Sequence, residues 1–509
     1  MNYYRHRHTI LKRLVSVLFL TVAVISCVQK KRIEPKVEPA KTAPNIVYIL
    51  CDDLGYGDIQ VLNPERGKIQ TPHVDKLATE GMTFTDAHSG SSVCTPTRYG
   101  ILTGRYAWRS RLQEGVLAGG AEREPLIAKN RMTVPMLLKK QGYSTAIIGK
   151  WHLGFDFVDD SGKAIKLYDG KKALLAPVGS TVPNGPISRG FDSYFGFHHS
   201  RVMKTVIKDD KVIDHMPVVG MLPLLAKKAT EYITKQSEKN KPFFLYLPLN
   251  SPHSPVVPSK EWQGKSGMGA YADFVMQTDH VVGQVIEALE KNGIADNTLV
   301  FFTSDNGCSY PVAKGDYLEK EFGHYPSAQF RGSKSDIWEG GHRIPLIVKW
   351  PGKVIPNATN DKLVCLTSLM ATAADITGAD IPDTAGEDSF SILPLLTDAT
   401  VAINHDAVVH HSIQGKFSIR KGRWKLELAP GSGGWSTMKD PKARKMGMPE
   451  VQLYDMMTDE AEQYNLYDKH PELVKELTDE LLSIVNKGRS TDGEAQANDV
   501  PIDIYKTDK

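Results

Sequence analysis

The sequence predicts an α/β protein built on a mostly parallel sheet with helices on its faces. Three observations predict it. Short continuous apolar runs at Asn45–Leu50, Tyr143–Ile148, Phe243–Leu247 and Thr298–Thr303 have the character of strands buried on both faces. Helical patterns lie between them, clearest at Tyr271–Asn292, where Phe274, Thr278, Val281, Val285 and Leu289 form one apolar stripe and Gly293 closes it. Several of the runs deliver polar or charged residues at their carboxyl ends: Asp52 and Asp53, Lys150, His253, and Asp305 with Asn306. Ligands in such sheets gather beyond the carboxyl ends of the strands, so one site collects these residues.

The chain has 509 residues, too many for one small core, which predicts a large domain plus a smaller one. Acids and bases nearly balance at a net charge of +3, and no basic tract lies beyond the amino terminus, so no nucleic-acid partner is implied. At the amino terminus, Arg5, Arg7, Lys12 and Arg13 precede the apolar run Leu14–Ile25, the pattern of a secretory signal too short for a comfortable membrane span. Val24-Ile25-Ser26-Cys27 resembles a bacterial lipobox, which implies lipidation at Cys27 and an exported protein, periplasmic or at the cell surface, held to the membrane only by a lipid anchor. Residues 1–27 are therefore read as signal, 28–44 as a Lys-, Glu- and Pro-rich tether, 45–395 as the main domain, 396–488 as a smaller α+β subdomain and 489–509 as a loose polar tail. Cys51, Cys94, Cys308 and Cys365 show no paired spacing, against a disulfide framework or a zinc site.

Along the main domain, a helix is predicted over Met132–Lys140, with Thr133 as cap and Gly142 as stop, leading into the strand that ends Gly149-Lys150-Trp151-His152. Gly190–Phe197 reads as irregular, and the prolines of Ser251-Pro252-His253-Ser254-Pro255 keep that loop out of helix and sheet. Arg331–Gly341 is a polar loop carrying Lys334, and Leu346–Trp350 is a further strand. Past about residue 395, His410–Leu428 alternates in short strand-like runs, and Pro471–Val485 is an amphipathic helix.

The stretch from His88 to Arg105 is the most unusual. Cys94 follows a Ser/Gly run and opens a predicted helix in which Pro96 suits the first turn and Arg98 adds a positive charge one turn on. Cys94-Thr95-Pro96-Thr97-Arg98 followed by Y-G-I-L-T-G-R resembles the signature of the formylglycine-dependent sulfatases. Thr97 stands where that family most often has Ser. N-I-V-Y-I-L-C-D-D-L-G-Y-G-D, G-K-W-H-L-G, S-P-H-S-P, T-S-D-N-G and R-G-S-K-S-D-I-W-E-G-G-H-R-I-P match further segments of the family in order, and K-G-R-W-K-L resembles its carboxyl-terminal subdomain.

The resemblance implies an alkaline-phosphatase-like α/β/α sandwich with a small four-stranded antiparallel sheet. It implies that a maturation enzyme oxidises Cys94 to formylglycine, and that Asp52, Asp53, Asp305, Asn306 and residue 94 hold a divalent cation. The oxygen-donor set itself suits Ca²⁺ ahead of Mg²⁺. By the same resemblance the hydrated formylglycine attacks sulfur, Arg98 and Lys150 hold it and the sulfate, His253 and Lys334 serve the leaving alcohol, and His152 acts as base for sulfate release. The substrate implied is a sulfated glycan, taken from its end, with 6-sulfated galactose or N-acetylgalactosamine as the specific expectation. Trp435 could then stack on a sugar, and His198, His199 or His324 read hydroxyls. Rival readings are a phosphate or phosphonate monoester hydrolase of the same superfamily, and a catalytically silent glycan-binding lipoprotein.

Overall fold

Asn45–Asp52 (β1) is buried along its whole length, and its side chains alternate between two apolar clusters. Ile46, Tyr48 and Leu50 enter one; Val47, Ile49 and Cys51 enter the other. A strand apolar on both faces must be covered on both, and that requirement makes the three-layer α/β/α sandwich. The computed structural model describes residues 43–506 apart from 118–123, 170–171, 399 and 402–406. The signal, the lipobox Cys27, nearly all of the tether and the last residues of the tail lie outside the described residues.

The remaining strands of the main sheet are Met82–Phe84 (β2), Ser144–Lys150 (β3), Ser193–Phe197 (β4), Thr205–Lys208 (β5), Lys211–His215 (β6), Phe243–Pro252 (β7), Thr298–Ser304 (β8), Leu346–Lys349 (β9) and Ala358–Asn360 (β10). They form a 10-stranded sheet in the order β10-β2-β9-β8-β1-β7-β3-β4-β5-β6. The centre, β8-β1-β7-β3-β4, is parallel, so the carboxyl ends of all five strands open on one edge. Helices Cys94–Thr103 (α2), Val134–Lys140 (α3) and Leu369–Thr377 (α6) cover one face. Pro72–Thr79 (α1), Met221–Ser237 (α4) and Ala270–Lys291 (α5) cover the other. The Thr133 hydroxyl caps α3 by accepting from the Met136 N–H, as its position predicted.

Two expectations about strands need correction. Gly190–Phe197 is not irregular throughout: it ends in β4, paired parallel with β3 at Gly149 opposite Gly196. A Cβ on Gly196 would fall 2.0 Å from the Gly149 carbonyl oxygen, and one on Gly149 would fall 1.9 Å from that of Pro248. Close backbone approach demands glycines there, and they dilute the usual strand composition. Likewise β7 runs on to Pro252, past the predicted end at Leu247. Proline is tolerated there because the ladder with β1 is already irregular between Leu50 and Asp52.

The carboxyl-terminal sheet is antiparallel, in the order Ala407–His411 (β11), Phe417–Lys421 (β12), Trp424–Glu427 (β13) and Gln452–Asp455 (β14). Pro471–Lys487 (α7) covers it with Leu477, Leu481, Ile484 and Val485. Tyr106 and Trp108, which follow α2, belong to the same core, so the small sheet is built into the body. A buried ion pair joins them as well: Lys425 on β13 meets Glu339 of the main domain at 3.1 Å, besides Glu462 and Glu427 of its own module at 2.6 and 3.0 Å. The tail is also anchored where it is described, contrary to the expectation of a loose end. Arg105 pairs with Asp499 at 3.0 Å, the Asp499 N–H donates to the Arg109 carbonyl, and Ile504 is buried.

Candidate active site

The carboxyl ends of β1 and β8 are locked to each other. The Asp305 N–H donates to the Cys51 carbonyl, and the chain turns at Asp53 (φ 66°), whose N–H donates to the Asp305 carboxylate at 3.2 Å. This sets Asp52, Asp53 and Asp305 side by side, all buried. Such crowding of like charge is tenable only with cations among them. Lys150, at the end of β3, donates to Asp52 at 2.7 Å. Arg98 on α2 donates twice to Asp305 Oδ2, at 3.0 and 2.7 Å, and lies 3.6 Å from Asp52. Lys334 donates to both oxygens of Asp53, at 2.6 and 2.7 Å.

The groups titrate accordingly. Burial raises Asp52, but the charges of Lys150, His253, Arg98 and Lys334 outweigh it and hold the carboxyl below the usual range. Asp305 goes the other way, pushed up to about 6 by burial and by its carboxylate neighbours against the pull of Arg98. Burial would lower Lys334, yet Asp53 holds it above its ordinary value, so it stays cationic.

Cys94 is the first residue of α2, which ends at Gly104 in the left-handed region (φ 64°). The Thr97 hydroxyl bonds the Ser91 and Val93 carbonyls at 3.1 and 3.2 Å, tying the approach loop to the first turn as a serine hydroxyl would. Despite the helix terminus, burial raises the Cys94 thiol, so the unmodified residue is a poor nucleophile. Its sulfur lies 3.3 Å from His152 Nδ1, while His152 Nε2–H donates to the Leu117 carbonyl at 3.0 Å. That bond fixes the tautomer and leaves a bare Nδ1 lone pair facing position 94. Burial, with Lys150 adding to it, drives the His152 pKa far down, so the ring stays neutral.

The same cluster fits a hard cation. Asp52 Oδ1 and Asn306 Oδ1 are buried without any hydrogen-bond partner, and Asn306 Nδ2 is committed to Asp53 and the Gly307 carbonyl. Orphaned oxygens in a buried site are costly unless something positive takes them up. Asp52, Cys94 and Asp305 present ligand atoms within 4.8 Å of one another, as do Asp52, Asp53 and His253. A donor set dominated by oxygen suits Ca²⁺ or Mg²⁺.

Above the cluster opens a cleft of about 570 Å³, with Cys94, His152, His253 and Lys334 among its walls. His253 Nδ1–H is engaged by the Ser254 carbonyl at 2.6 Å, so the proton it can exchange sits on Nε2, 3.7 Å from Asp53. His199 and the half-exposed Trp435 also line the cleft. Two expected hydroxyl readers do not. His198 is buried, its ring 4.3 Å from that of Phe155, and His324 is buried with Nε2 on Asp58 at 3.0 Å and Nδ1 accepting from the Lys68 N–H. Both are packing and loop-bracing groups, because their rings found apolar or internal partners.

The cleft contains residues that motif reading missed, Ser200, Arg201 and Ile413 among them, since none lies within a recognisable pattern. Asp336 is another. Its carboxylate accepts from the Trp435 and Ser436 N–H groups, at 3.0 and 3.1 Å, and from the Ser333 N–H at 3.0 Å, so the loop bearing Trp435 is tied to the loop bearing Lys334.

Residues 44–379 match the family model described as Sulfatase. The chain belongs to the sulfatase family. This sulfatase is 32% identical over 492 residues to an N-acetylgalactosamine-6-O-sulfatase of Bacteroides thetaiotaomicron, spanning 87% of the chain and 93% of that protein. It is 30% identical to a steryl-sulfatase of Rattus norvegicus over 72% of the chain and 73% of that protein. A Bacteroides thetaiotaomicron structure described under the metabolism of multiple glycosaminoglycans superposes with a TM-score of 0.75 at 27% identity, covering 87% of the sulfatase and 99% of that chain. A phosphonate monoester hydrolase of Silicibacter pomeroyi shares the fold at a TM-score of 0.59 but only 16% identity, so the alkaline-phosphatase-like sandwich by itself does not choose the ester. Family membership makes this sulfatase a sulfuric ester hydrolase.

Proposed function

We propose that this sulfatase removes 6-O-sulfate from terminal N-acetylgalactosamine or galactose in a sulfated glycan, with Cys94 matured to formylglycine and Ca²⁺ held by Asp52, Asp53, Asp305, Asn306 and residue 94. The observation that carries the proposal is the position of residue 94 at an open cleft, against a bare histidine lone pair, in a wall shared with Lys334, His253 and Trp435. The relative named for N-acetylgalactosamine 6-O-sulfate supports the choice of sugar.

When present, the formylglycine supplies an oxygen nucleophile at position 94 and the cation supplies positive charge beside it. The rest falls to the chain. Arg98 and Lys150 neutralise Asp305 and Asp52 and fix the floor of the site. Lys334, permanently cationic, faces the charge that develops on the bridging oxygen as the S–O bond breaks. His253 gives its Nε2 proton to the departing sugar alcohol, and His152 Nδ1 takes a proton from residue 94 as sulfate leaves.

Burial lowers His253 below its ordinary value of 6.5, against the opposing pull of Asp52 and Asp53. Because the protonated form is needed, turnover of sugar sulfates should fall as pH rises through a value below 6.5. His253→Ala should remove that limb of the pH profile and cost about 100-fold on sugar sulfates, with a smaller loss on aryl sulfates, whose leaving groups need no proton. A limb unchanged in the variant would take the acid role away from His253.

The decisive experiment incubates matured enzyme with defined mono- and oligosaccharides sulfated at single positions. Release from 6-sulfated galacto-configured sugars is expected. No release from any of them, or turnover of phosphate monoesters alone, would overturn the reading.

A further inference from the structure

We infer that the cleft accepts glycans bearing a second anionic group next to the scissile sulfate, and that Arg201 is the residue that recognises it. The inference rests on the carbohydrate-sulfatase reading above and narrows its substrate class.

Arg201 sits in the short turn Ser200–Val202 that follows β4. The turn is held firmly. The Arg201 N–H donates to His199 Nδ1 at 2.9 Å, and Ser200 Oγ lies 3.2 Å from His253 Nδ1. Val202 and Met203 behind it are each 1% exposed. Arg201 itself is exposed and lines the cleft. Its backbone is therefore preorganised while the residue stays open to the cleft, an arrangement that lowers the ordering cost of binding.

The charge inventory of the site sets Arg201 apart. Arg98 is paired with Asp305, Lys150 with Asp52 and Lys334 with Asp53. Among the described residues Arg201 is the cleft cation with no carboxylate partner. The three paired cations and the metal ligands belong to the scissile sulfate, and the charge of Arg201 is left over. Val116, Leu117, Val312 and Ile413 supply apolar wall around the same space, where an ion pair is screened less than in open water.

A forked guanidinium matches a planar carboxylate or two oxygens of a sulfate far better than it matches a hydroxyl. The neighbouring His199 complements it. Its Nδ1 accepts from the Arg201 N–H, so its Nε2 carries the proton, and burial keeps the ring neutral with a pKa near 2. One wall of the cleft thus offers a neutral donor followed by a fixed cation. In a glycan, a uronate on the adjoining sugar or a second sulfate ester would present the shared oxyanion chemistry.

The test compares kcat/KM for three matched substrates: a 6-sulfated N-acetylgalactosamine glycoside with a neutral neighbour, the same unit beside a uronate, and the same unit with a second sulfate. The native enzyme should prefer at least one doubly anionic substrate by about tenfold, chiefly through KM. In Arg201→Gln that ratio should collapse towards one, while Arg201→Lys should keep part of it. The arm that collapses names the anion, and collapse of both arms means either oxyanion is accepted. No preference in the native enzyme, or a preference that survives Arg201→Gln, would overturn the inference. Turnover of aryl sulfates without any of the three sugars would instead sink the carbohydrate reading on which it rests.

Discussion

Cys94→Ala should leave a folded protein whose turnover of sulfate esters is at least about 10⁴-fold below that of the matured enzyme. Cys94→Ser should fall nearly as far. A serine hydroxyl would sit beside the same His152 lone pair, 3.3 Å from where the thiol now lies, but it would lack the aldehyde chemistry that formylglycine would supply for releasing sulfate. The side chain is small and 2% exposed, and its hydrogen bond to His152 is the one polar contact at stake, so the cost in stability should be no more than about 1 kcal/mol. Peptide mass spectrometry of protein made with a maturation system, read together with turnover, checks the claim. Full activity from Cys94→Ser, or from a preparation carrying only thiol, would remove the oxidised residue from the reaction.

Arg98→Met should be the most damaging substitution to the fold around the site. The guanidinium is fully buried and bridges Asp305 and Asp52. Removing one partner of a buried pair leaves uncompensated charge, which typically costs about 3–5 kcal/mol. The sign with pH follows from the carboxyls. Asp52 is held below its usual value partly by Arg98, so losing that charge raises it, and protonating it relieves the strain. The penalty should therefore shrink as pH falls, and it should shrink again when Ca²⁺ is added, because an ion held as proposed would supply positive charge to the same cluster of carboxylates. Thermal melts of native and variant protein across pH, with Ca²⁺ or with chelator, measure both. A penalty independent of both pH and Ca²⁺ would mean that Arg98 acts through packing alone.

Much of this site was legible in the chain because its residues hang on strand ends. Asn45–Leu50 and Thr298–Thr303 are apolar throughout, so the acids that follow them had to emerge at one edge, and the register of β1 with β8 puts Cys51 opposite Ser304, one residue before Asp52 and Asp305. The spacing of α5 was equally plain, since a helix packed on one face repeats its apolar residues. What escaped notice depended on contacts distant in sequence. Gly196 makes a strand only because Gly149 lies against it. Asp499 looks like part of a loose tail until Arg105 and the Arg109 carbonyl are beside it. A histidine's role is a matter of its surroundings. His199 and His198 are neighbours in the chain, yet one lines the cleft and the other packs on Phe155. No pattern marked Arg201, because its proposed role rests on an acid missing from among the described neighbours.

Asp336 bears on any attempt to re-engineer the enzyme. It ties a strip of backbone from the carboxyl-terminal module to the segment that presents Lys334, across sequence separations of 99 and 100 from its Trp435 and Ser436 partners. On the roles proposed for Trp435 and Lys334, a module grafted from a relative would bring its own platform for the ring of the sugar and would also reset the ammonium group beside the bond to be cut. On that reading, selectivity and rate are geared together through one carboxylate, and a transplant would keep both only if the recipient kept that carboxylate's partners.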